Sequence, residues 1–269
     1  MTQQYETLSF GSLKVFFTAP EHAAAELIGA AAETSARLIR EHWGLAMPPD
    51  VRLYVMTSWA APIFHAASWP WKILMGINLP LWGWRARRLW RVAGGWAQPL
   101  GRRRLVGVKP PRLIRASDSG LGARIFVPEP DMARKAEQIT CHELTHAATA
   151  HLKLPSWLNE GLAMLTVDRF VGSPTVQPET AAALAHAPDL SRSRRLPQDP
   201  DALVYVYVRG YWLTRYFEET QPGLLKSLLT QRHAPAELEN RIAAAYGIEQ
   251  ATFWRDLDKT VAAYFEQSG

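Results

Sequence analysis

Apolar positions in the first sixty residues follow two different periods. Leu8 to Thr18 predicts a strand with an apolar centre at Val15, Phe16 and Phe17, and Val51 to Met56 alternates as a second strand. A helix from Pro20 to about Trp43 is predicted between them by one apolar stripe, which comprises Ala24, Leu27, Ile28, Ala31, Ser35, Leu38 and Ile39. Because strand, helix and strand in succession form a sheet layer covered by a helix, we expect a mixed sheet here.

The pattern changes after residue 112. Leu113 to Ala116 and Ala123 to Val127 predict two short strands around the turn 117–120. The stretch from Gly172 to Pro200 is rich in Pro, Ser and Arg and predicts a long loop. From Ala202 to the end, apolar stripes of helical period are separated by Pro222-Gly223, Pro235 and Gly247, so this part is predicted to be helical.

The stretch His142-Glu143-Leu144-Thr145-His146 carries the candidate chemistry. On a helix, residues four apart lie one above the other, so the two imidazoles face one point, with Glu143 beside them. Zinc favours four ligands, and a catalytic zinc keeps one position for water. The pattern therefore predicts a zinc site that needs a third protein ligand.

Glu160 is the best candidate for that ligand. The first helix, capped by Asp131, is predicted to continue through Leu152 until Pro155 stops it, and Ser156 to cap a second helix. A connection this short makes the two helices antiparallel neighbours, which brings the first turn of the second helix, with Glu160, back toward the histidines.

The two motifs, His142 to His146 and Trp157-Leu158-Asn159-Glu160-Gly161, resemble those of the gluzincin metallopeptidases, a group that holds thermolysin-like and aminopeptidase-N-like enzymes. The resemblance implies one catalytic zinc held by His142, His146 and Glu160, with Glu143 as general base. The chain departs from the thermolysin-like pattern at Met164, where that pattern has an Asp that orients a ligand histidine. Asp168 is one turn further along, so the partners of the histidines are not identified.

The resemblance also implies the architecture. We expect an α+β, zincin-like fold with a small mixed β-sheet and an N-terminal helix, followed by the metal helix, the ligand-Glu helix and a C-terminal helical bundle. Residues 1–269 are expected to form one catalytic domain, with the sheet in 1–130 and the metal site and helical bundle in 131–269.

Two further features of the site are expected by the same resemblance. An edge strand before the metal helix holds extended substrate in similar enzymes, and Arg124 to Val127 is the candidate here. The donor that stabilises the oxyanion is Tyr207, from its Tyr-x-x-Gly context, with Tyr205 and Tyr211 as alternatives. No motif for holding a free amino terminus is visible, which favours an endopeptidase.

Composition bounds the remaining questions. The 269 residues are 48% hydrophobic, enough for a sizeable core, and the single cysteine, Cys141, is predicted to be a buried thiol. The first residues, Met1 to Glu6, show no basic segment followed by an apolar run, so we expect a cytoplasmic protein.

Residues 59–112, here called the Trp/Arg segment, are unusual. Between Asp50 and Asp118 the sequence has twelve basic and no acidic residues, against a net charge of +5 for the whole chain, and it holds seven of the eleven tryptophans. The segment is predicted to be an insertion. Its tryptophans could pack on the protein's own core, contact an anionic membrane surface, or bind nucleic acid, of which we favour the first two.

Two functions are therefore considered. The first is a zinc-dependent metallopeptidase acting on a peptide or protein substrate. The alternative is a metal-stabilised, non-hydrolytic module that presents the Trp/Arg segment to a membrane surface or a protein. We favour the first, because the second gives Glu143 no role.

Overall fold

A computed structural model describes residues 4–67, 69, 72–73, 83, 90, 93–100, 103–114, 122–186, 196–197 and 199–268. The chain divides into two compact units. The first comprises Met1–Arg37, Met47–Ser117 and Glu129–Ala147, and the second comprises Leu38–Ala46, Asp118–Pro128 and Ala148–Gly269. The prediction of one catalytic domain stays a prediction.

The first unit contains a five-stranded mixed sheet, as predicted. Its strands are β1 (Glu6–Phe10), β2 (Leu13–Phe17), β3 (Val51–Val55), β4 (Gly95–Leu100) and β5 (Arg103–Val108), in the order β1-β2-β3-β5-β4. The two outer pairs are antiparallel, and β3 is parallel to both of its neighbours.

The two faces of this sheet pack against different helices. Leu53 and Val55 of β3 share one face with Val106 and Val108 of β5, while Tyr54 lies on the other face. Tyr54 contacts helix α2 (Ala60–Ala66) there, through a hydrogen bond of 3.0 Å between its hydroxyl and His65 Nδ1. These apolar side chains are almost completely buried and form the core of the unit.

Helix α1 (His22–Trp43) confirms the predicted N-terminal helix and follows a short 3-10 turn at Ala19–Glu21. It ends where Gly44 takes a φ of +73°, a conformation that glycine adopts without strain. Ile28 and Ile39 of its apolar stripe are completely buried.

Three strand predictions were wrong. Leu8 to Thr18 is a hairpin, because Gly11 adopts a φ of +55° and reverses the chain between β1 and β2. Of the strands predicted at Leu113 to Ala116 and Ala123 to Val127, Leu113 ends the 3-10 turn Pro111–Leu113, and residues 115 and 116 lie outside the described residues. Ala123 and Arg124 belong to the 3-10 turn Gly122–Arg124, and Phe126 makes an isolated bridge to Val176. The predicted turn 117–120 lies outside the described residues.

The predicted insertion, residues 59–112, includes two strands of the sheet. Gly95–Leu100 and Arg103–Val108 are strands β4 and β5 of the sheet itself, so its predicted end at 112 is wrong. Basic residues on both sides of the apolar run in β5, Arg103 and Arg104 before it and Lys109 after it, concealed a central strand. The apolar run from Leu74 to Leu81 and the arginines at 85–91 lie outside the described residues.

The remaining helices are α3 (Met132–Thr149), α4 (Ser156–Val171), α5 (Pro200–Thr220), α6 (Leu224–Leu228), α7 (Pro235–Tyr246) and α8 (Phe253–Ser268), which confirms the predicted helical C-terminal part. Within the second unit, α5 is joined to α8 by a buried ion pair, in which Arg209 Nε and Nη2 donate to the two oxygens of Asp258 at 2.9 and 2.7 Å. Among the described residues, none of the helices combines the length and the apolar character that crossing a bilayer requires.

The stretch from Gly172 to Pro200, predicted to be a loop, contains a helix. Pro178–His186 forms a 3-10 helix, held at its start by Gln177, whose side-chain amide donates to the carbonyls of Ala123 and Phe126. Residues 187–195 and 198 lie outside the described residues.

Candidate metal centre and substrate edge

Helix α3 carries both histidines. Its first turn is capped as predicted, because Asp131 Oδ1 accepts hydrogen bonds from the backbone amides of Ala133 at 2.8 Å and Arg134 at 3.4 Å. His142 and His146 are half-buried, one helical turn apart, with their Nε2 atoms 3.0 Å from each other. Helical periodicity thus directs both imidazoles to one point.

The connection to the second helix differs in detail from the prediction. Helix α3 ends at Thr149 and not at Leu152, because Leu152 turns back to donate to the Thr149 carbonyl and Lys153 adopts a φ of +53°. Ser156 is the first residue of α4 and not its cap; the cap position is Pro155, which has extended backbone and no side-chain hydrogen bond. A proline lacks an amide proton, which suits it to a helix start.

His142, His146 and Glu160 form a cluster in which one ligand atom from each lies within 4.8 Å of the others. Two ligands of a tetrahedral zinc ion, each about 2.0 Å from it, lie roughly 3.3 Å apart. The spacing of the imidazole nitrogens and the donor set of two nitrogens and one carboxylate oxygen therefore fit a zinc ion. The Glu160 side chain is buried, and a carboxylate is costly to bury without a cation or a set of donors.

Two contacts fix the position of Glu160. The hydroxyl of Thr149, at the end of α3, donates to the Asn159 side-chain oxygen at 2.8 Å, which joins the two helices next to Glu160. The second contact is between Gly161 of α4 and Gly210 of α5. A Cβ atom added to Gly161 would be 2.1 Å from the Gly210 carbonyl oxygen, and a Cβ atom added to Gly210 would be 2.1 Å from the Trp157 carbonyl oxygen. Only glycine permits this approach.

Glu143 lies against strand β4. It is 9% exposed, and a Cβ added to Gly95 would be 2.9 Å from its Cγ and 2.7 Å from Cγ2 of Ile139. The strand therefore passes in direct contact with the metal helix at the residue proposed as the base, and glycine is required there for the same steric reason.

Strand β4 is the edge strand that the sequence analysis missed. Among the described residues it pairs only with β5. The backbone amide of Lys109 donates to the Gly94 carbonyl at 2.9 Å, one residue before Gly95, the first paired residue of β4. Because hydrogen-bonded and non-hydrogen-bonded pairs alternate in an antiparallel ladder, the backbone amides and carbonyls of the even-numbered residues of β4 face β5. The amides and carbonyls of Gly95 and Ala97 therefore face away from β5. Pro99 occupies the same outward set, where its lack of an amide proton costs no ladder bond.

Arg124 to Val127, the predicted substrate strand, does not form a strand. Arg124 ends a 3-10 turn, and Phe126 makes one isolated bridge to Val176. A sequence signal for β4 existed in Gly94-Gly95, which permits close backbone approach, and in Pro99, which is typical of an edge strand.

The three candidate tyrosines lie in different surroundings on α5. Tyr207 is half-buried and one turn before Gly210, the residue that contacts Trp157 and Gly161. Tyr205 is buried, with the Arg209 guanidinium 5.8 Å from its ring centroid. Tyr211 is completely buried, and its hydroxyl donates to Asp168 at 2.7 Å. Burial, together with the Asp168 charge, raises the pKa of Tyr211, so it remains a protonated donor to Asp168.

Asp168 joins α4 to the chain that follows it. Its Oδ1 accepts from the amide and the hydroxyl of Thr175 at 2.7 and 2.6 Å, and its Oδ2 accepts from Tyr211. Burial raises the pKa of this carboxyl, while these hydrogen bonds oppose the shift. Both oxygens are thus used within the second unit.

Cys141 is a buried thiol, as predicted. It is 0% exposed, and burial raises its pKa to about 12, although a hydrogen bond with Ser35 acts in the opposite direction. A thiol in this state is inert, and Cys141 serves as a packing residue of helix α3.

A solved structure of yeast LTA4 hydrolase in complex with bestatin is similar to this chain, with a TM-score of 0.52 and 12% sequence identity. The match covers 96% of this chain and 39% of that one, so this chain spans well under half of the yeast protein's length. No protein-family model matches the sequence, and no curated protein matches it either. The structural similarity shows that the fold is α+β and zincin-like, as predicted.

The contact of Gly161 with Gly210 predicts a specific defect in metal binding. In Gly161→Ala the added methyl group overlaps the Gly210 carbonyl, so α4 must move and carry Glu160 with it. We expect zinc affinity, measured by competition with a chelating dye, to fall on the order of tenfold. Gly172→Ala at the end of the same helix has open space and strains only a φ of +81°, so it should lower stability but leave zinc affinity unchanged. Equal zinc affinity in the Gly161 variant and the wild type would contradict this role.

Proposed function

We propose that the protein is a zinc-dependent metallopeptidase of the gluzincin type that hydrolyses peptide bonds. The proposal rests on one observation, the convergence of His142, His146 and Glu160 on a single point, with Glu143 buried between the metal helix and an edge strand. The zincin-like fold shared with a hydrolase supports it.

A zinc ion held by these three side chains would supply Lewis-acid activation of a water molecule and of the peptide carbonyl. Glu143 follows His142 directly on α3, so its carboxylate lies beside the ligand pair but is directed differently around the helix axis. In this position it accepts a proton from the attacking water and then delivers it to the leaving amine. The contact with Gly95 limits the motion of its side chain and excludes water from that side.

Tyr207 is assigned the role of hydrogen-bond donor to the oxyanion. Of the three candidates, Tyr211 has its hydroxyl committed to Asp168 and Tyr205 is buried, whereas Tyr207 is half-buried and one turn from the contact that positions α4. A donor aimed at the developing negative charge contributes roughly 3 kcal/mol to transition-state stabilisation.

Strand β4 is assigned the binding of extended substrate. The amides and carbonyls of Gly95 and Ala97 can pair with a peptide main chain in the manner of an added strand. Because Gly95 contacts Glu143, a peptide paired there has its backbone beside the general base. This arrangement recognises the peptide backbone common to all sequences, so the substrate class is a peptide or protein in extended conformation.

The general base gives the direct test of this function. Glu143→Gln removes the proton acceptor but preserves side-chain shape, so hydrolysis of an unstructured protein such as casein should fall about 10³-fold, while zinc content measured by atomic emission stays at one ion per chain. Glu137→Gln, a half-buried carboxylate on the same helix, is the matched control and should keep its activity. A Glu143→Gln enzyme that hydrolyses casein at the wild-type rate would refute the proposal.

Tyr207 has a separate test. Tyr207→Phe should lower kcat about 10²-fold with little change in KM, because the hydroxyl acts on the transition state and not on bound substrate. Tyr211→Phe should instead lower the midpoint of thermal unfolding at nearly unchanged kcat, since its hydroxyl bonds Asp168. The reverse pattern, with kcat lost only in the Tyr211 variant, would remove Tyr207 from the mechanism.

The edge strand is tested by removing one donor. Ala97→Pro eliminates an amide that faces away from β5, so the sheet should persist while kcat/KM for peptides falls about fivefold through loss of one hydrogen bond. Ala97→Ser keeps the amide and is the control. If both variants hydrolyse peptides equally fast, substrate does not pair with this strand.

A further inference from the structure

Two apolar side chains of the Trp/Arg segment are exposed. Trp69 is 73% and Ile73 is 47% exposed, and both have helical backbone, as does Lys72 beside them. Among the described residues, Val127 and Leu196 are the other exposed large hydrophobic residues, and both lie far away in sequence. An exposed tryptophan next to an exposed isoleucine costs solvation free energy unless a partner covers them.

The other described tryptophans of the segment behave differently. Trp96 is buried in a cluster with Tyr54, Met56 and Leu105 on the α2 face of the sheet, and Trp59 and Trp90 pack against that cluster. These three tryptophans therefore attach the segment to the core of the first unit. The predicted packing of tryptophans on the protein itself applies to them but not to Trp69.

Polar contacts also attach the segment to the first unit. The Arg103 guanidinium donates to the carbonyl of Ala66 at 2.7 Å, at the end of α2. Lys109 donates to the Trp90 carbonyl and places its ammonium 4.3 Å from the centroid of the Trp90 ring. Trp69 lies three residues after Ala66, so this exposed side chain closely follows a residue that is held by the hydrogen bond from Arg103.

The surroundings of Trp69 are cationic. The stretch between Asp50 and Asp118 has no acidic residue. Burial, together with the charges of Arg52 and Lys72, lowers the pKa of His65, so both cations act on this side chain. The region thus combines exposed apolar side chains with a stretch of sequence whose charged residues are all basic.

We propose that Trp69, Lys72 and Ile73 form a contact site for an anionic membrane surface. A tryptophan at the boundary between headgroups and acyl chains places its ring among the lipids, an isoleucine adds apolar area, and a neighbouring lysine meets the lipid phosphates. Nucleic acid is a weaker match, because Ile73 has no ring to stack on a base. The contact is peripheral and is independent of the proposed hydrolysis.

Vesicle co-sedimentation tests the site. The full chain should bind vesicles of phosphatidylcholine with roughly 30% phosphatidylglycerol and bind pure phosphatidylcholine much more weakly, with salt weakening the former. Trp69→Ala should reduce binding about tenfold, and Lys72→Gln about fivefold. Leu196→Ala and Val127→Ala, also exposed apolar residues, and Arg255→Gln, an exposed cation, are the controls and should bind as the wild type does.

Two measurements keep this result separate from the enzyme. The Glu143→Gln variant should bind vesicles like the wild type, so failure of hydrolysis and failure of membrane binding can be distinguished. An environment-sensitive thiol probe on Ile73→Cys should shift to the blue on anionic vesicles, whereas the same probe on Leu196→Cys should not; the native Cys141 is 0% exposed and escapes labelling.

Three outcomes would overturn the proposal. These are equal or negligible binding to anionic and neutral vesicles, full binding by Trp69→Ala, and a probe at residue 73 that responds to single-stranded RNA but not to vesicles.

Discussion

One steric constraint positions Glu160 within the second unit, the approach of two helix backbones at Gly161 and Gly210. Glu160 precedes Gly161, so the depth to which α4 packs on α5 sets the position of its carboxylate. A side chain at either glycine would separate the helices by more than the tolerance of a metal–ligand bond. The hydrogen bond from Thr149 to Asn159 acts at the neighbouring position and ties the end of the metal helix to the same turn. The motif Asn159-Glu160-Gly161 therefore combines helix connection and close packing, and the proposed function adds ligation by Glu160 as a third task.

A second contact of the same kind lies in the first unit. Gly95 lets strand β4 lie against Glu143 without an intervening side chain. Glu143, Glu160 and strand β4 are thus each positioned by backbone contact, which varies less than contact between long side chains because few rotatable bonds are involved.

Local patterns were enough to predict the metal helix, the helix of Glu160, the first helix and the helical C-terminal part, because each shows a strong 3.6-residue period or a fixed motif. The sequence was less informative where geometry depends on distant partners. Strand β4 carries a tryptophan and a proline within a stretch dominated by arginine, so it looked like an insertion, and only pairing with β5 identifies it. Tyr211 could not be separated from Tyr207 by sequence, since its hydrogen bond to Asp168 depends on the packing of α5 against α4. The roles of Gly161 and Gly210 are likewise invisible until the helices are placed side by side.

The open side of β4 has a consequence for the solution behaviour of the protein. Among the described residues, the amides and carbonyls of Gly95 and Ala97 face away from the only strand that pairs with β4. Exposed sheet edges can accept a strand from a neighbouring copy and so promote aggregation. Pro99, two residues after Ala97, has no amide proton to donate, which opposes sheet extension between copies along this edge.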